Sequence, residues 1–198
     1  DYFDDLLDRI REIRISERRY YQKITDIYSE CSSDYDKNSE ETRLFFKMVQ
    51  NMMHYAVTKQ TAAEIIYDRA DAKRPHMGLT TWKNAPDGRV IKSDVTIAKN
   101  YLSEKEVDSL NRLSNAFIDI AEQRAEDHVL MTMKDWSSLL QRYMELNNRP
   151  MLPDVGRVTH EQAVEKALTE YDKFRVIQDR EIMSDFDKQL KLLFGDKK

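Results

Sequence analysis

Apolar residues recur at helical spacing along most of this chain. In residues 2–31 they stand at Phe3, Leu6, Ile10, Ile13, Tyr20, Ile24, Ile27 and Cys31, in steps of three and four. That spacing predicts one long first helix with a coiled-coil-like seam, interrupted by Glu17 at one seam position. Five arginines between Arg9 and Arg19 lie among Asp8, Glu12 and Glu17, which reads as a solvated face of mixed charge.

Further helices follow the same logic. Asn38 with Glu41 forms a capping box opening a helix to about Val57, through Leu44, Phe45, Met48, Val49, Met52 and Tyr55. Thr61 with Glu64 opens another, to about Ala72. Residues 94–101 read as a short helix. Ser103 with Glu106 starts a long one, to about Glu126, through Val107, Leu110, Leu113, Phe117, Ile120 and Ala121. Thr132 with Asp135 opens a helix bearing Trp136, Leu139, Leu140, Tyr143, Met144 and Leu146, which must end before Pro150. Thr159 with Gln162 starts the last helix, with Val164, Leu168, Tyr171, Phe174, Ile182, Phe186, Leu190 and Leu193 on one stripe and a bend or restart at Ser184.

The breakers agree. The chain has four Gly and four Pro in 198 residues, and intervals 1–74, 89–149 and 157–194 contain neither. The expected fold is therefore all-α: a single domain over 1–198, a bundle of six to eight helices. Its long first and last helices should pack together, with an irregular loop at about 73–93. Inside that loop, residues 78–82 and 89–91 are candidates for a two-strand ribbon across Pro86-Asp87-Gly88. No apolar run is long enough to cross a membrane. Cys31 is the only cysteine, so an internal disulfide and a thiolate zinc site are excluded, and a reducing cytoplasm is the expected location.

Charge singles out residues 73–101. Lys73, Arg74, Lys83, Arg89, Lys92 and Lys99 against Asp87 and Asp94 net +4, in a chain of −4, so the remainder carries −8. Trp82 stands beside Lys83 there. A basic, Trp-bearing loop on an acidic body is the expected binding surface, with Trp82, Lys83, Arg89, Lys92 and Lys99 as candidate contacts and nucleic acid as candidate partner. A loop Trp also commonly plugs the core beneath it. A second constellation, Asn51 and His54 on one helix with Glu64, Asp68 and Asp71 on the next and His76 in the loop, has the residue types for acid–base work or a divalent cation. The plainer reading leaves Glu64 and Asp68 as surface carboxylates and pairs Asp71 with Arg69 or Lys73. No metal site and no cofactor is assigned. A glycine-rich phosphate loop, a His-Glu-x-x-His helix and a nucleophile elbow are all missing from the sequence.

Residues 2–14 and 16–23, Gln50-Asn51, His54-Tyr55-Ala56, Thr61-Ala62-Ala63-Glu64-Ile65-Ile66 and Arg69-Ala70-Asp71 resemble the RhuM virulence protein family of bacteria. So do Met77-Gly78-Leu79-Thr80-Thr81-Trp82-Lys83, Ala98-Lys99-Asn100-Tyr101-Leu102, Met131-Thr132-Met133-Lys134-Asp135-Trp136 and Gln178-Asp179. The chain departs from the pattern at His76, where many relatives carry Asn. The resemblance implies a bacterial protein, often carried on mobile or pathogenicity elements, in which this region follows a smaller DNA-binding module. The start at Asp1 agrees with a C-terminal part of a longer protein. The family implies no settled activity. Two readings result. The first is a non-enzymatic effector or oligomerisation domain, pairing as a homodimer through residues 3–31. The alternative is an enzyme acting on nucleic acid or a nucleotide, with the His/carboxylate set beside the basic loop.

Overall fold

A computed structural model describes residues 1–150 and 156–194. The expected break at 150–156 is thus described only at its two ends, and Gly195 lies outside the described residues. Seven α-helices appear among the described residues: α1 (Tyr2–Ile15), α2 (Tyr20–Cys31), α3 (Glu40–Thr58), α4 (Ala62–Arg69), α5 (Glu104–Glu126), α6 (Met133–Leu146) and α7 (His160–Phe194). Two short turns, Pro75–Gly78 and Ala98–Tyr101, accompany them. No strand occurs among the described residues; one isolated bridge joins Ser32 to Met131. The fold is all-α, as the periodicity requires, and the ribbon expected near 79–91 does not form.

The chain divides into two compact units. One comprises Asp1–Ala62 and Glu104–Gly156, the other Ala63–Ser103 and Arg157–Lys198. In the first, α1 and α2 pack on each other and both pack on α5, while α3 lies against α2, α5 and α6. Ile10, Ile24, Phe45, Val49, Leu110, Phe117 and Trp136 are fully buried there. Tyr28 stacks on Phe45 with ring centroids 3.7 Å apart, and Trp136 tilts against Phe117 at 5.5 Å.

The single first helix expected over residues 2–31 is two helices. The chain leaves helical geometry at Ser16 (φ −64, ψ 150) and re-enters after Arg19 (φ −67, ψ 150). Glu17 explains the break: a continuous seam would carry a carboxylate into the apolar contact, and an unpaired buried charge is costly. Breaking there lets both halves bury their stripes against α5. Arg14 fixes the joint, donating to Glu122 on α5 at 3.0 and 2.8 Å and to Asp119 at 2.7 Å. Most of the seam expected to pair two chains is buried within the first unit, where α5 is the neighbour of both α1 and α2. Cys31 is buried at its end, which pushes its thiol up to about 12 and keeps it protonated and unreactive.

In the second unit, α7 packs against the Pro75–Gly78 turn and runs through position 184 without a break. Its face at Ala163, Ala167, Glu170, Phe174 and Gln178 is buried, whereas Ile182, Phe186, Leu192, Leu193 and Phe194 are exposed.

Candidate functional site

The basic segment 73–101 has little regular secondary structure, yet buried polar side chains hold it at both ends and in the middle. Glu170 on α7 accepts from the backbone N–H of Ala72 at 2.8 Å, and its other oxygen accepts from Lys173 at 2.9 Å and Lys166 at 3.3 Å. That backbone bond, then the two lysines, lower its carboxyl to about 2. Eight residues along the helix, Gln178 grips Val90 with both ends of its amide. Oε1 accepts from the backbone N–H at 2.9 Å and Nε2 donates to the carbonyl at 3.2 Å. Within the segment, buried Asp94 accepts from the backbone N–H groups of Lys83 (3.0 Å) and Ile91 (2.9 Å). Asn100 donates to the Asp94 carbonyl at 2.9 Å, and its own carbonyl accepts from Thr80 at 2.7 Å. Arg69 closes the far end, donating to the Tyr101 carbonyl at 3.0 Å. Buried backbone groups need partners, and these side chains supply what a sheet or helix ladder would otherwise provide.

At Pro75–Gly78 the backbone turns left-handed. His76 (φ 51), Met77 (φ 49) and Gly78 (φ 90) all have positive φ. For His76 and Met77 this costs roughly 1–2 kcal/mol each. Met77 compensates by complete burial, and its carbonyl accepts from Asp71 N at 3.1 Å. Gly78 has no substitute: a Cβ there would sit 2.2 Å from the Arg69 carbonyl oxygen. The turn lays the exposed His76 ring on Trp82, centroids 4.4 Å apart at 30°. Trp82 itself is only 8% exposed, and its indole N–H donates to the Gly88 carbonyl at 2.8 Å. Trp82 is thus seated as a plug, and the aromatic surface offered outward is that of His76.

Beside this stack lies a cavity of about 550 Å³, lined by the 72–76 and 86–89 stretches and by α7 from Phe174 to Asp185. Phe174, Ile177, Ile182, Pro75 and Pro86 supply its apolar lining. Lys73, Arg74, Arg89 and Asp87 stand on the segment side; Glu181 and Asp185 stand on the helix side. Of the cations singled out in the sequence, Lys83 and Lys92 are exposed, Lys99 is half-buried, and Arg89 pairs with Asp179 on α7.

Half-buried Asn51 and buried His54 lie on α3 in the first unit, while Glu64, Asp68 and Asp71 belong to the second. Glu64 accepts from the backbone N–H of Arg157 at 2.8 Å, and the Arg157 guanidinium reaches Asp68 at 2.7 Å. Asp71 accepts from Lys73 N at 2.9 Å and lies 3.8 Å from Arg74. All three carboxylates are engaged in holding the chain around α4 and the start of α7. Among the described residues no group of three His, Cys, Asp or Glu side chains is placed to hold a metal ion.

Glu170, Gln178, Asp94 and Asn100 were not among the candidate site residues: Gln178 and Asn100 stood only in the family motifs, and Asp94 only in the segment's charge. One signal existed: Gln178 falls four residues after Phe174 and four before Ile182, a polar residue inside an apolar stripe, which marks a buried amide with a partner. The family model described as Virulence protein RhuM family matches residues 1–183. The chain belongs to the RhuM family. The match spans both units and takes in the basic segment and its anchors as far as Gln178, so the resemblance seen in the motifs holds over nearly the whole RhuM-family chain. No curated protein and no solved structure matches it. No helix among the described residues is long and apolar enough to cross a membrane.

Proposed function

We propose that this virulence-associated chain is a non-enzymatic binding domain that receives a phosphate-bearing partner, nucleic acid foremost, on segment 73–101. It would serve as the effector part of a longer protein whose upstream module reads DNA. The observation that carries the reading is the fastening of a +4 segment, in a chain whose remainder is −8, by buried Glu170, Gln178 and Asp94. Holding the segment's backbone lowers the entropy lost when its cations meet phosphates, and a basic segment in an otherwise acidic chain favours binding there. Lys83 and Lys92, both exposed, are the contacts proposed first. With Glu64, Asp68 and Asp71 engaged in the chain's own hydrogen bonds and ion pairs, no observation favours the enzyme reading.

The test is binding to single- and double-stranded DNA and RNA across a salt series. Affinity should fall steeply with salt. Lys83→Ala with Lys92→Ala should weaken binding and flatten the log–log slope by about 0.9 for each phosphate that is no longer neutralised. Binding that is absent, or insensitive to salt, overturns the proposal.

A further inference from the structure

The cavity beside the His76–Trp82 stack has a chemistry that a general basic face does not require. Its segment side is net basic, with Lys73, Arg74 and Arg89 against Asp87, its α7 side carries Glu181 and Asp185, and apolar side chains line it as well. His76 lines it while its ring rests on Trp82, and a left-handed backbone at φ 51 holds it there. Backbone held in a sparsely populated region, where the surroundings over-determine it, is a mark of functional sites. A flat aromatic group on His76, an N–H edge toward the carboxylates and an anion toward the cations would satisfy all three features together.

We propose that this cavity binds guanine joined to phosphate, either as a free nucleotide or as an unpaired guanine in a single strand. The inference rests on the phosphate-binding reading above. Stacking on His76 accepts any base. A carboxylate only accepts hydrogen bonds, so it selects a base edge carrying donors. Guanine presents N1–H and the N2 amino group side by side, matching the two oxygens of one carboxylate. Adenine presents an acceptor at N1 and is repelled there. Asp185 already pairs with Lys188 at 3.5 Å and Asp87 belongs to the segment side that carries the cations, so Glu181 is assigned the guanine edge. Lys73 and Arg74 are assigned the phosphate. The volume of about 550 Å³ falls in the range of small-molecule sites.

Titration calorimetry with guanosine and adenosine monophosphates, alongside single-stranded oligonucleotides with and without one guanine, tests this. Trp82 fluorescence is a second readout, because Trp136 is fully buried in the other unit. Guanosine monophosphate should bind about tenfold or more tighter than the adenosine compound, the discrimination of one good bidentate pair. Glu181→Gln, at an exposed position, should erase that ratio while leaving adenosine monophosphate binding in place. Lys73→Ala with Arg74→Ala should weaken both nucleotides alike. Guanosine monophosphate binding without oligonucleotide binding identifies the free nucleotide as source and sinks the nucleic-acid reading alone. Salt-sensitive oligonucleotide binding with no guanine preference overturns this inference alone. A guanine preference that survives Glu181→Gln also overturns it, and no binding of any nucleotide or strand overturns both.

Discussion

Glu170 shows how much one side chain carries here. Its carboxylate bonds to the Ala72 N–H, Lys173 and Lys166, and its pKa falls to about 2 from an unfolded value of roughly 4.3. The folded state therefore binds fewer protons than the unfolded one in that interval. The stabilisation is fully present above about pH 4.3 and is lost as the pH falls toward 2. Replacing Glu170 by Gln should lower neutral-pH stability by roughly 1–3 kcal/mol and flatten the acid limb of a urea-melt pH profile. An unchanged acid limb would remove Glu170 from this role. Gly78→Ala should cost roughly 2–4 kcal/mol, since φ 90 and a backbone oxygen 2.2 Å from the new Cβ leave nothing flexible to yield. Trp82→Ala should cost about 3–5 kcal/mol as a buried large-to-small change. A melting temperature close to wild type for either variant would mean the turn relaxes freely.

At the scale of elements, the helices were legible where local signals decide them. Thr132 with Asp135 and Thr159 with Gln162 form the reciprocal caps their spacing implies. Asn38 yields the cap position to Ser39, whose hydroxyl accepts from Thr42 N; one residue of slip is within the ordinary blur of helix ends. The break at 16–19 was written in Glu17, but periodicity alone cannot weigh a buried charge against a continued helix. Segment 73–101 was legible as irregular, basic and Trp-bearing, and illegible in its fastening. Gln178 meets Val90 from 88 positions away, and no local rule reports such a pairing. The site was legible in the same uneven way: the segment's charge stood out, whereas its cavity depends on the left-handed turn at His76, which needs Met77 buried beneath it. Gln178→Leu keeps the bulk of the side chain and strands both backbone groups of Val90. It should lower stability by roughly 2–4 kcal/mol and speed amide exchange across residues 83–91 while α5 stays protected. Equal loosening of α5 would show that the amide supports the whole chain and not this segment.

For the whole molecule the connectivity matters more than either unit's contents. Neither unit is a continuous stretch: the chain passes from one to the other after Ala62, Ser103 and Gly156. The anchors of segment 73–101 come from α7, which follows all of α5 and α6 in sequence, so a fragment ending at Ser103 lacks Glu170 and Gln178. Conversely, the 63–103 stretch is joined to the first unit by the chain at both of its ends. We propose on this ground that the chain unfolds as one domain. Calorimetry should give one transition, with van't Hoff and calorimetric enthalpies equal and a total of about 140 kcal/mol near 60 °C for 198 residues. Gln178→Leu should move that single transition downward without splitting it. Two resolved transitions, with only the lower one sensitive to Gln178→Leu, would show that the second unit melts by itself and that the single-domain proposal is wrong. In that case nucleotide added at saturation should raise the lower transition alone, because a ligand stabilises only the unit that binds it.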